Sequence, residues 1–399
     1  MRGRILDWPT GVFLTHLEST GDGSEHDASA LTTVCPRTAR PLVARYDLRA
    51  AAAALPREAW EARQGGVWSL AELLPLSDPG QAVSLGEGDT PLLRLPRLGA
   101  ELGLTELFAK DESPNPTGSF KARGMTVAVS MARALGAGVL AAPSAGNAGG
   151  ALAAYGARAG LEVRIAMPRD VPHANRLEAE LCGARVELLD GTIADCGRWV
   201  AANAREHGWF DLSTLKEPYR VEGKKTMGYE LARDLGWELP EVVLYPTGGG
   251  TGLVGIWKAF EEMRELGWLG EDVPLPRMIA VQAAGCAPIV DAFHAGREEA
   301  TPPPRPQTAA SGLRVPSPIG DRWILSVLRA SGGTAIAVED EALLEGTRRL
   351  ARAEGLFVAP EAGALVAALD ALLADGRVQP TERVVFLCTG TGLKYPECF

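Results

Sequence analysis

A lysine at the start of a helical stretch is the first residue of this chain whose position suits covalent chemistry. Lys121 ends the segment Asn-Pro-Thr-Gly-Ser-Phe-Lys (115–121), which follows a candidate strand around Phe108. A helix N-terminus carries partial positive charge, and a positive, partly desolvated environment lowers the pKa of an amine. Such an amine is suited to forming a Schiff base with an aldehyde. An isolated lysine is more often a solvated surface residue, so this chemistry requires partners.

A turn of small residues follows the next candidate strand, residues 139–142. The turn begins with Ser144, Ala145, Gly146 and Asn147. Small residues let the backbone approach a flat ligand, and the Asn147 amide can donate a hydrogen bond to a phenolate oxygen. Glycine and asparagine also favour simple strand-to-helix turns, so this segment alone leaves both interpretations open.

A glycine-rich turn between a candidate strand at 242–245 and a helix from Leu253 predicts a phosphate site. Consecutive backbone N–H groups at a helix N-terminus bind phosphate without a charged side chain. The residues of this turn are Gly248, Gly249, Gly250, Thr251 and Gly252.

Three glycines of the same region, Gly250, Gly252 and Gly255, also satisfy the dinucleotide pattern G-x-G-x-x-G. That pattern requires an acidic residue at the end of the following strand to bind a ribose. The following candidate strand, residues 278–281, is followed by Gln282. The sequence therefore favours a monophosphate over a dinucleotide.

A fourth segment, residues 388–392, follows the last candidate strand and contains Thr389. A hydroxyl suits a ring nitrogen that stays unprotonated, whereas a carboxylate would hold that nitrogen protonated. Together the four segments supply an amine, a phenolate partner, a phosphate-binding turn and a partner for a ring nitrogen.

Short β-rich runs alternate with Ala- and Leu-rich helical stretches from Glu106 onward, which predicts an α/β fold with parallel sheets. In such sheets ligands bind at the carboxyl ends of the strands, where the four segments lie. The candidate strands are residues 107–109, 139–142, 163–167, 186–189, 242–245, 278–281, 335–338 and 384–387. The candidate helices include residues 122–135, 253–266 and 340–354. The proline-rich residues 298–318 have the composition of a long loop, typical of a lid or a disordered segment.

Composition excludes several classes of partner for these 399 residues. Forty Lys and Arg against fifty Asp and Glu give a net charge of −10, and no long basic cluster interrupts this balance. Nucleic acid and anionic membrane are therefore not expected as partners. No apolar run reaches the ~18–20 residues that span a bilayer, and residues 1–17 lack the pattern of a secretory leader. We expect a cytoplasmic enzyme with reduced cysteines, because its six cysteines are scattered.

With these segments in view, the chain resembles the fold-type II (tryptophan synthase β-like) pyridoxal-phosphate enzymes, and most closely the threonine synthases. Five segments carry the resemblance in order: residues 85–92, 115–121, 220–226, 248–252 and 389–394.

The resemblance implies two open, twisted α/β domains with the cofactor between them, plus a small N-terminal unit. We predict an N-terminal unit at 1–84, a large cofactor-binding domain from 85–120 and 236–399, and a smaller α/β domain at 121–235. The resemblance also implies a homodimer.

The resemblance also implies a role for each site residue. Lys121 carries pyridoxal 5′-phosphate, Asn147 faces its O3′ oxygen, and Thr389 meets its ring nitrogen. The turn from Gly248 to Gly252 holds the cofactor phosphate. Ser144, Ala145, Gly146 and Asn147 bind substrate, and Arg220 binds a substrate phosphate. The implied reaction converts O-phospho-L-homoserine and water to L-threonine and phosphate. From arginine chemistry alone, a surface ion pair is the alternative interpretation of Arg220.

Two positions depart from the threonine synthase pattern. Ala122 stands where these enzymes commonly have Asp, and Ala148 stands where they have a hydroxyl residue. Another pyridoxal-phosphate lyase, such as a serine/threonine dehydratase or a specialised β- or γ-replacement enzyme, is therefore an alternative. A non-catalytic binding module is a third hypothesis, which Lys121 opposes because binding alone does not need a Schiff base.

The N-terminal unit resembles the zinc ribbon that precedes some threonine-synthase-like proteins. Such a ribbon uses two Cys-x₂-Cys pairs, because structural zinc requires four thiolate or imidazole ligands. The matching positions here are Ser19, Asp22, Cys35 and Thr38. Only one thiolate remains, so we predict no structural zinc.

Overall fold

The N-terminal unit forms a small antiparallel sheet followed by short helices. A computed structural model describes residues 12–399, so the part of the leader prediction that falls on residues 1–11 lies outside the described residues. The strands are β1 (Leu14–Ser19), β2 (Glu25–His26) and β3 (Leu42–Tyr46), in the order β2-β1-β3. Helices α1 (Leu48–Ala54) and α2 (Arg57–Glu61) follow, with a 3₁₀ segment at Gly66–Leu73.

The remainder of the chain alternates strands and helices. The strands are β4 (Leu92–Arg94), β5 (Glu106–Asp111), β6 (Val139–Pro143), β7 (Glu162–Pro168), β8 (Arg185–Leu189), β9 (Phe210–Asp211), β10 (Val242–Pro246), β11 (Arg277–Ala283), β12 (Thr334–Val338) and β13 (Arg383–Cys388). The helices are α3 (Pro96–Leu102), α4 (Lys121–Ala134), α5 (Asn147–Ala159), α6 (His173–Leu181), α7 (Ile193–His207), α8 (Tyr219–Asp234), α9 (Thr251–Glu265), α10 (Pro288–His294), α11 (Asp321–Ala330), α12 (Asp340–Glu354) and α13 (Pro360–Ala374).

A six-stranded sheet has the order β12-β11-β10-β13-β5-β4, parallel except for the edge strand β4. Its central strand β10 is buried at all five positions. Successive side chains of a strand point to opposite faces, so a strand covered on both sides is apolar throughout. Val242 and Leu244 accordingly pack in the core with α12 and α13, whereas Val243 and Tyr245 pack in the core with α8 and α9.

A four-stranded parallel sheet has the order β8-β7-β6-β9. Leu140 and Ala142 of β6 pack in the same core as side chains of α4 and α5, while Ala141 between them packs with Cys196 and Val200 of α7. Both sheets are thus covered by helices on two faces. The predicted α/β fold is confirmed, and all eight candidate strands and three candidate helices are present with small shifts at their ends.

The two sheets fall within the predicted segments. Strands of the large sheet lie between residues 92 and 111 and between 242 and 388, and strands of the small sheet lie between 139 and 211. The exact domain boundaries stay a prediction. The N-terminal unit also packs into the core that contains side chains of α8 and α9, where the Trp60 ring stacks on Trp268 with 5.4 Å between the ring centroids.

The four ribbon positions do come together, but through hydroxyl and ionic contacts. Ser19 Oγ lies 3.2 Å from Thr38 Oγ1, and both side chains face the Cys35 thiol. Asp22 pairs with Arg37 at 2.7 Å. The metal content of this unit stays a prediction.

Between residues 12 and 399, no helix combines the length and the apolar character needed to cross a membrane.

Candidate active site

Lys121 lies at the first turn of α4, beside a cavity between the two sheets. Its Nζ is 4.3 Å from the centroid of the Phe120 ring, and both residues line the cavity. Burial, and secondarily the positive charge of Arg220, lower the pKa of Lys121 to about 7, while Glu361 opposes the shift. A large fraction of this amine is therefore uncharged near neutral pH, as a nucleophilic lysine requires.

The glycine-rich turn connects β10 to α9 and forms the opposite wall of the cavity. A Cβ atom on Gly248 would lie 2.2 Å from the Gly312 carbonyl oxygen, and one on Gly249 would lie 2.7 Å from Thr214 Cγ2. Gly250 has φ +71°, a left-handed conformation that favours glycine. The N–H groups of Gly248, Gly249 and Gly250 donate no backbone hydrogen bond within residues 12–399, so they are free for an anion at the positive end of α9.

Asn147 begins α5 and lines the same cavity. Its Nδ2 donates to the Tyr395 hydroxyl at 3.0 Å, and its buried Oδ1 has no partner among the described residues. Ser144 is used within the turn, because its Oγ donates to the Gly146 carbonyl and accepts from the Gly149 N–H, each at 2.8 Å. The predicted contact of Ser144, with its neighbours in the turn, to substrate stays a prediction.

Thr389 follows β13 and also lines the cavity. Its carbonyl accepts a hydrogen bond from the Phe120 N–H at 3.0 Å, which ties the end of β13 to the residue before Lys121. The fold thus brings Lys121, Asn147 and Thr389 to one cavity with the glycine-rich turn, although they lie far apart in the sequence.

Arg220 lies on α8, outside the cavity wall but close enough to affect Lys121. It is 1 % exposed, and its Nη1 donates to the Leu212 carbonyl at 2.8 Å. Its Nε and Nη2 have no partner, and it forms no salt bridge with a described residue. A surface ion pair is therefore the wrong interpretation of Arg220.

Glu361 and Tyr395 are polar cavity residues that the sequence reasoning missed. Glu361 on α13 accepts a hydrogen bond from the Gly312 N–H at 2.7 Å, and its other oxygen is buried without a partner within residues 12–399. Burial raises the pKa of Glu361. Tyr395 is 1 % exposed and bonds Asn147. No local pattern distinguishes Glu361 from other acidic residues, whereas Tyr395 directly follows the segment 389–394.

The proline-rich loop 298–318 contributes to the cavity as an ordered segment. It contains a 3₁₀ turn at Ser311–Leu313, and Gly312 and Val315 line the cavity. Ala310 and Leu313 are buried in the same core as side chains of α12 and α13. Of the two interpretations of this loop, disorder is wrong.

The residues present fit pyridoxal 5′-phosphate. The cavity combines an amine of lowered pKa, the Asn147 amide, whose Nδ2 has a second N–H besides the one donated to Tyr395, and a turn of glycines packed too closely for larger side chains. Lys121 would hold the aldehyde carbon, the turn at 248–252 would hold the phosphate, and Thr389 would face the ring nitrogen.

Comparison with known proteins also indicates a pyridoxal-phosphate enzyme. The family model described as pyridoxal-phosphate dependent enzyme matches residues 83–390. The threonine synthase of Methanocaldococcus jannaschii is 38% identical over 353 residues, which is 88% of this chain and 86% of the relative. The threonine synthase of Methanosarcina acetivorans is 36% identical over 383 residues, 96% of this chain and 93% of the relative.

Among solved structures, a threonine deaminase from T.th. aligns with a TM-score of 0.63 and 28% identity, over 76% of this chain and 92% of that one. Maize serine racemase aligns with a TM-score of 0.65 and 21% identity, over 76% of this chain and 88% of that one, and shows the fold alone. The predicted family, fold type and cofactor are confirmed. The chain belongs to the pyridoxal-phosphate dependent enzyme family and, within it, to the threonine synthases.

Proposed function

We propose that the protein converts O-phospho-L-homoserine and water to L-threonine and phosphate. The observation that carries this proposal is the 38% identity to a relative named threonine synthase, extending over 88% of the chain. The buried, unpaired edge of Arg220 supports it, because a phosphorylated substrate supplies the anion which that edge suits.

Lys121 is the proton carrier in this proposal. Bound pyridoxal phosphate supplies an electron sink for the charge that develops at Cα of the amino acid. An amine with a pKa of about 7 both takes up and returns protons near neutral pH, which the reaction requires at Cα and Cβ. The reaction releases phosphate from Cγ and places the water oxygen on Cβ.

Arg220 and Asn147 orient the reactants. The Nε and Nη2 of Arg220, which have no partner among the described residues, would donate two parallel N–H bonds to the leaving phosphate, and the Asn147 Nδ2, held by Tyr395, would donate to the cofactor's phenolate oxygen. Burial of Arg220 strengthens its interaction with an anion, because little solvent screens the charge.

One feature favours a second candidate, a pyridoxal-phosphate lyase that eliminates water from serine or threonine and then releases ammonia by hydrolysis, which leaves a keto acid. Ala148, directly after Asn147, lacks a hydroxyl that would contribute to a substrate phosphate site. The likeness to a threonine deaminase at 28% identity is compatible with that candidate.

Product analysis separates the two candidates. The purified holoenzyme is incubated separately with O-phosphohomoserine, homoserine, threonine and O-phosphoserine, and phosphate, threonine and keto acid are measured. Equimolar phosphate and threonine from O-phosphohomoserine support the proposal. Keto acid from threonine or O-phosphoserine, without threonine from O-phosphohomoserine, would replace it with the second candidate.

We further propose a cytoplasmic homodimer acting on a small amino acid. The resemblance to the threonine synthases supports this assembly and location, and the acidic net charge is unfavourable for binding nucleic acid or an anionic membrane. Light scattering coupled to size-exclusion chromatography measures the mass against 42.1 kDa for one chain. A monomer at working concentration would contradict the dimer.

A further inference from the structure

A second basic side chain, Lys224, lies buried beside Lys121 and Arg220, and no described carboxylate lies within salt-bridge distance of its amine. It is 0 % exposed, and its Nζ has no hydrogen-bond partner among the described residues. The Nζ of Lys224 lies 4.7 Å from the centroid of the Phe120 ring, which Lys121 also contacts. Phe120 lines the cavity, so Lys224 stands directly behind the cavity wall.

The neighbouring residue, Lys225, is a buried structural lysine whose amine is paired with two carboxylates. Lys225 Nζ lies 2.8 Å from Glu222 and 3.0 Å from Glu262. A buried charge without such partners costs several kcal/mol, on the order of the desolvation of one ion. The absence of a carboxylate partner at Lys224, among the residues that the structure describes, therefore points to a ligand that supplies the negative charge.

Helix geometry places Lys224 next to the free edge of Arg220. The two residues are four positions apart on α8, so their side chains lie on one face of the helix. Arg220 is held by one bond from Nη1 to the Leu212 carbonyl, which leaves Nε and Nη2 along a single edge. On α4, Gly124 leaves room for both, because a Cβ there would lie 3.1 Å from Lys224 Cε and 2.9 Å from the Arg220 carbonyl oxygen.

The charged groups that face Lys224 are Arg220 on its own helix, Lys121 on α4 and Glu217 before α8. Glu217 accepts hydrogen bonds from the Tyr219 and Arg220 N–H groups, and burial raises its pKa to about 7. Burial, then Arg220 and Lys121, lower the pKa of Lys224 well below its usual range. A dianion placed here reverses that balance and favours the charged amine.

We propose that Lys224 and Arg220 together bind the phosphate group of a phosphorylated amino-acid substrate, and that Lys224 takes up a proton when this dianion binds. The identity of the phosphate ester rests on the proposed function, whereas the anion site rests on the two side chains. The cofactor phosphate is a separate ligand, held at the turn before α9. The flexible four-carbon stem of Lys224 lets its amine reach an anion at the Arg220 edge.

Calorimetric titration of the holoenzyme with inorganic sulfate tests the proposal. Sulfate is a tetrahedral dianion that does not titrate near neutral pH, and bound cofactor keeps it from the glycine-rich turn. Titrations in two buffers of different ionisation enthalpy give the dissociation constant and the number of protons taken up. Wild type should bind sulfate with uptake of up to about one proton.

Two substitutions and one control isolate Lys224. Lys224→Met and Lys224→Gln should weaken sulfate binding by about tenfold or more and reduce proton uptake, with cofactor absorbance retained. Lys216→Met is the control, because Lys216 is a nearby lysine that is partly exposed and paired with Asp211 at 3.1 Å. It should leave affinity and uptake close to wild type.

Three results would overturn the proposal: no sulfate binding by wild type, unchanged binding and uptake in both Lys224 variants, or an equal loss in Lys216→Met. The proposed function fails separately. Lys224-dependent sulfate binding without threonine formation from O-phosphohomoserine would refute the reaction and keep the anion site. Threonine formation with no Lys224 dependence would refute only the anion site.

Discussion

At the residue scale, burial and the nearest charges give lysines of one type opposite properties. Burial acts to lower the pKa of Lys225, but Glu222 and Glu262 outweigh it and the net shift is upward. Lys121 has no such pair, so burial and Arg220 lower its pKa to about 7. Carboxylate partners therefore keep the structural lysine Lys225 charged, whereas Lys121 at the cavity has no such pair among the described residues.

The first prediction concerns Lys121 as the attachment point of the cofactor. Lys121→Ala should abolish the visible absorbance of the bound cofactor, because the nucleophilic amine at the cavity is removed. Borohydride reduction of wild type followed by peptide mass mapping should place the cofactor on Lys121. Lys224 is the main alternative attachment point, since burial lowers its pKa as well. Reduced cofactor on Lys224 would refute the assignment.

The second prediction concerns the hydrogen-bonding geometry of Arg220. Arg220→Lys keeps the charge but loses the two-pronged edge, so kcat/KM for a phosphorylated substrate should fall by about one to two orders of magnitude, or roughly 1.5–3 kcal/mol. Turnover of threonine, which carries no phosphate, should change little, and cofactor absorbance should be retained. Equal losses on both substrates would mean that Arg220 is structural.

At the element scale, glycines set how closely elements approach around the cavity. A Cβ on Gly223 of α8 would lie 1.8 Å from the Arg123 carbonyl oxygen of α4. This close crossing brings the helix that carries Arg220 against the helix that begins at Lys121. At the end of β10, Gly248 allows the loop around Gly312 to close over the start of α9.

The third prediction tests that closure. In Gly248→Ala the new Cβ meets a backbone oxygen at 2.2 Å, so the turn must shift and its N–H groups lose their alignment. Holoenzyme stability should fall by roughly 1–3 kcal/mol and cofactor should dissociate more readily on dialysis. Gly138→Ala is the matched control, because no atom lies within 4 Å of the added Cβ. Similar behaviour of the two variants would show that the turn is not a close-packed cradle.

At the scale of the whole molecule, buried ion pairs and aromatic contacts join the N-terminal unit and the sheets. Arg123 on α4 pairs with Glu112 after β5 and with Glu230 on α8, each at 2.6 Å. Trp60 of the N-terminal unit packs on Tyr229 of α8 and on Trp268, which follows α9. Aromatic packing around Trp60 therefore anchors the N-terminal unit to the rest of the chain.

The fourth prediction concerns the metal content of the N-terminal unit. Metal analysis should find well under one zinc per chain, and chelators should leave the melting temperature unchanged, because three of the four ribbon positions lack a thiolate or imidazole. Cys35→Ser is a useful control, since it removes the remaining thiolate and should not alter metal content. A tightly held zinc in stoichiometric amount would show that Ser19, Asp22 or Thr38 substitutes for cysteine.

Features of the protein that depend on short-range order were predictable from the amino-acid sequence. Strands such as β10 were predictable because a strand buried on both faces is apolar throughout. The glycine-rich turn was predictable because the backbone needs small residues there. The position of Lys121 at the start of a helix was predictable because the residue follows a strand and precedes an Ala-rich helical stretch.

Long-range packing, by contrast, determines which distant side chains meet and which charges stay unpaired. Glu361 and Tyr395 reach the cavity through contacts with residues about fifty and about two hundred and fifty positions away. Lys224 and Lys225 are adjacent in the sequence, yet within the described part of the chain the latter has carboxylate partners and the former has none. The reason is physical: burial and charge pairing depend on tertiary contacts, which a local pattern of residue types does not record.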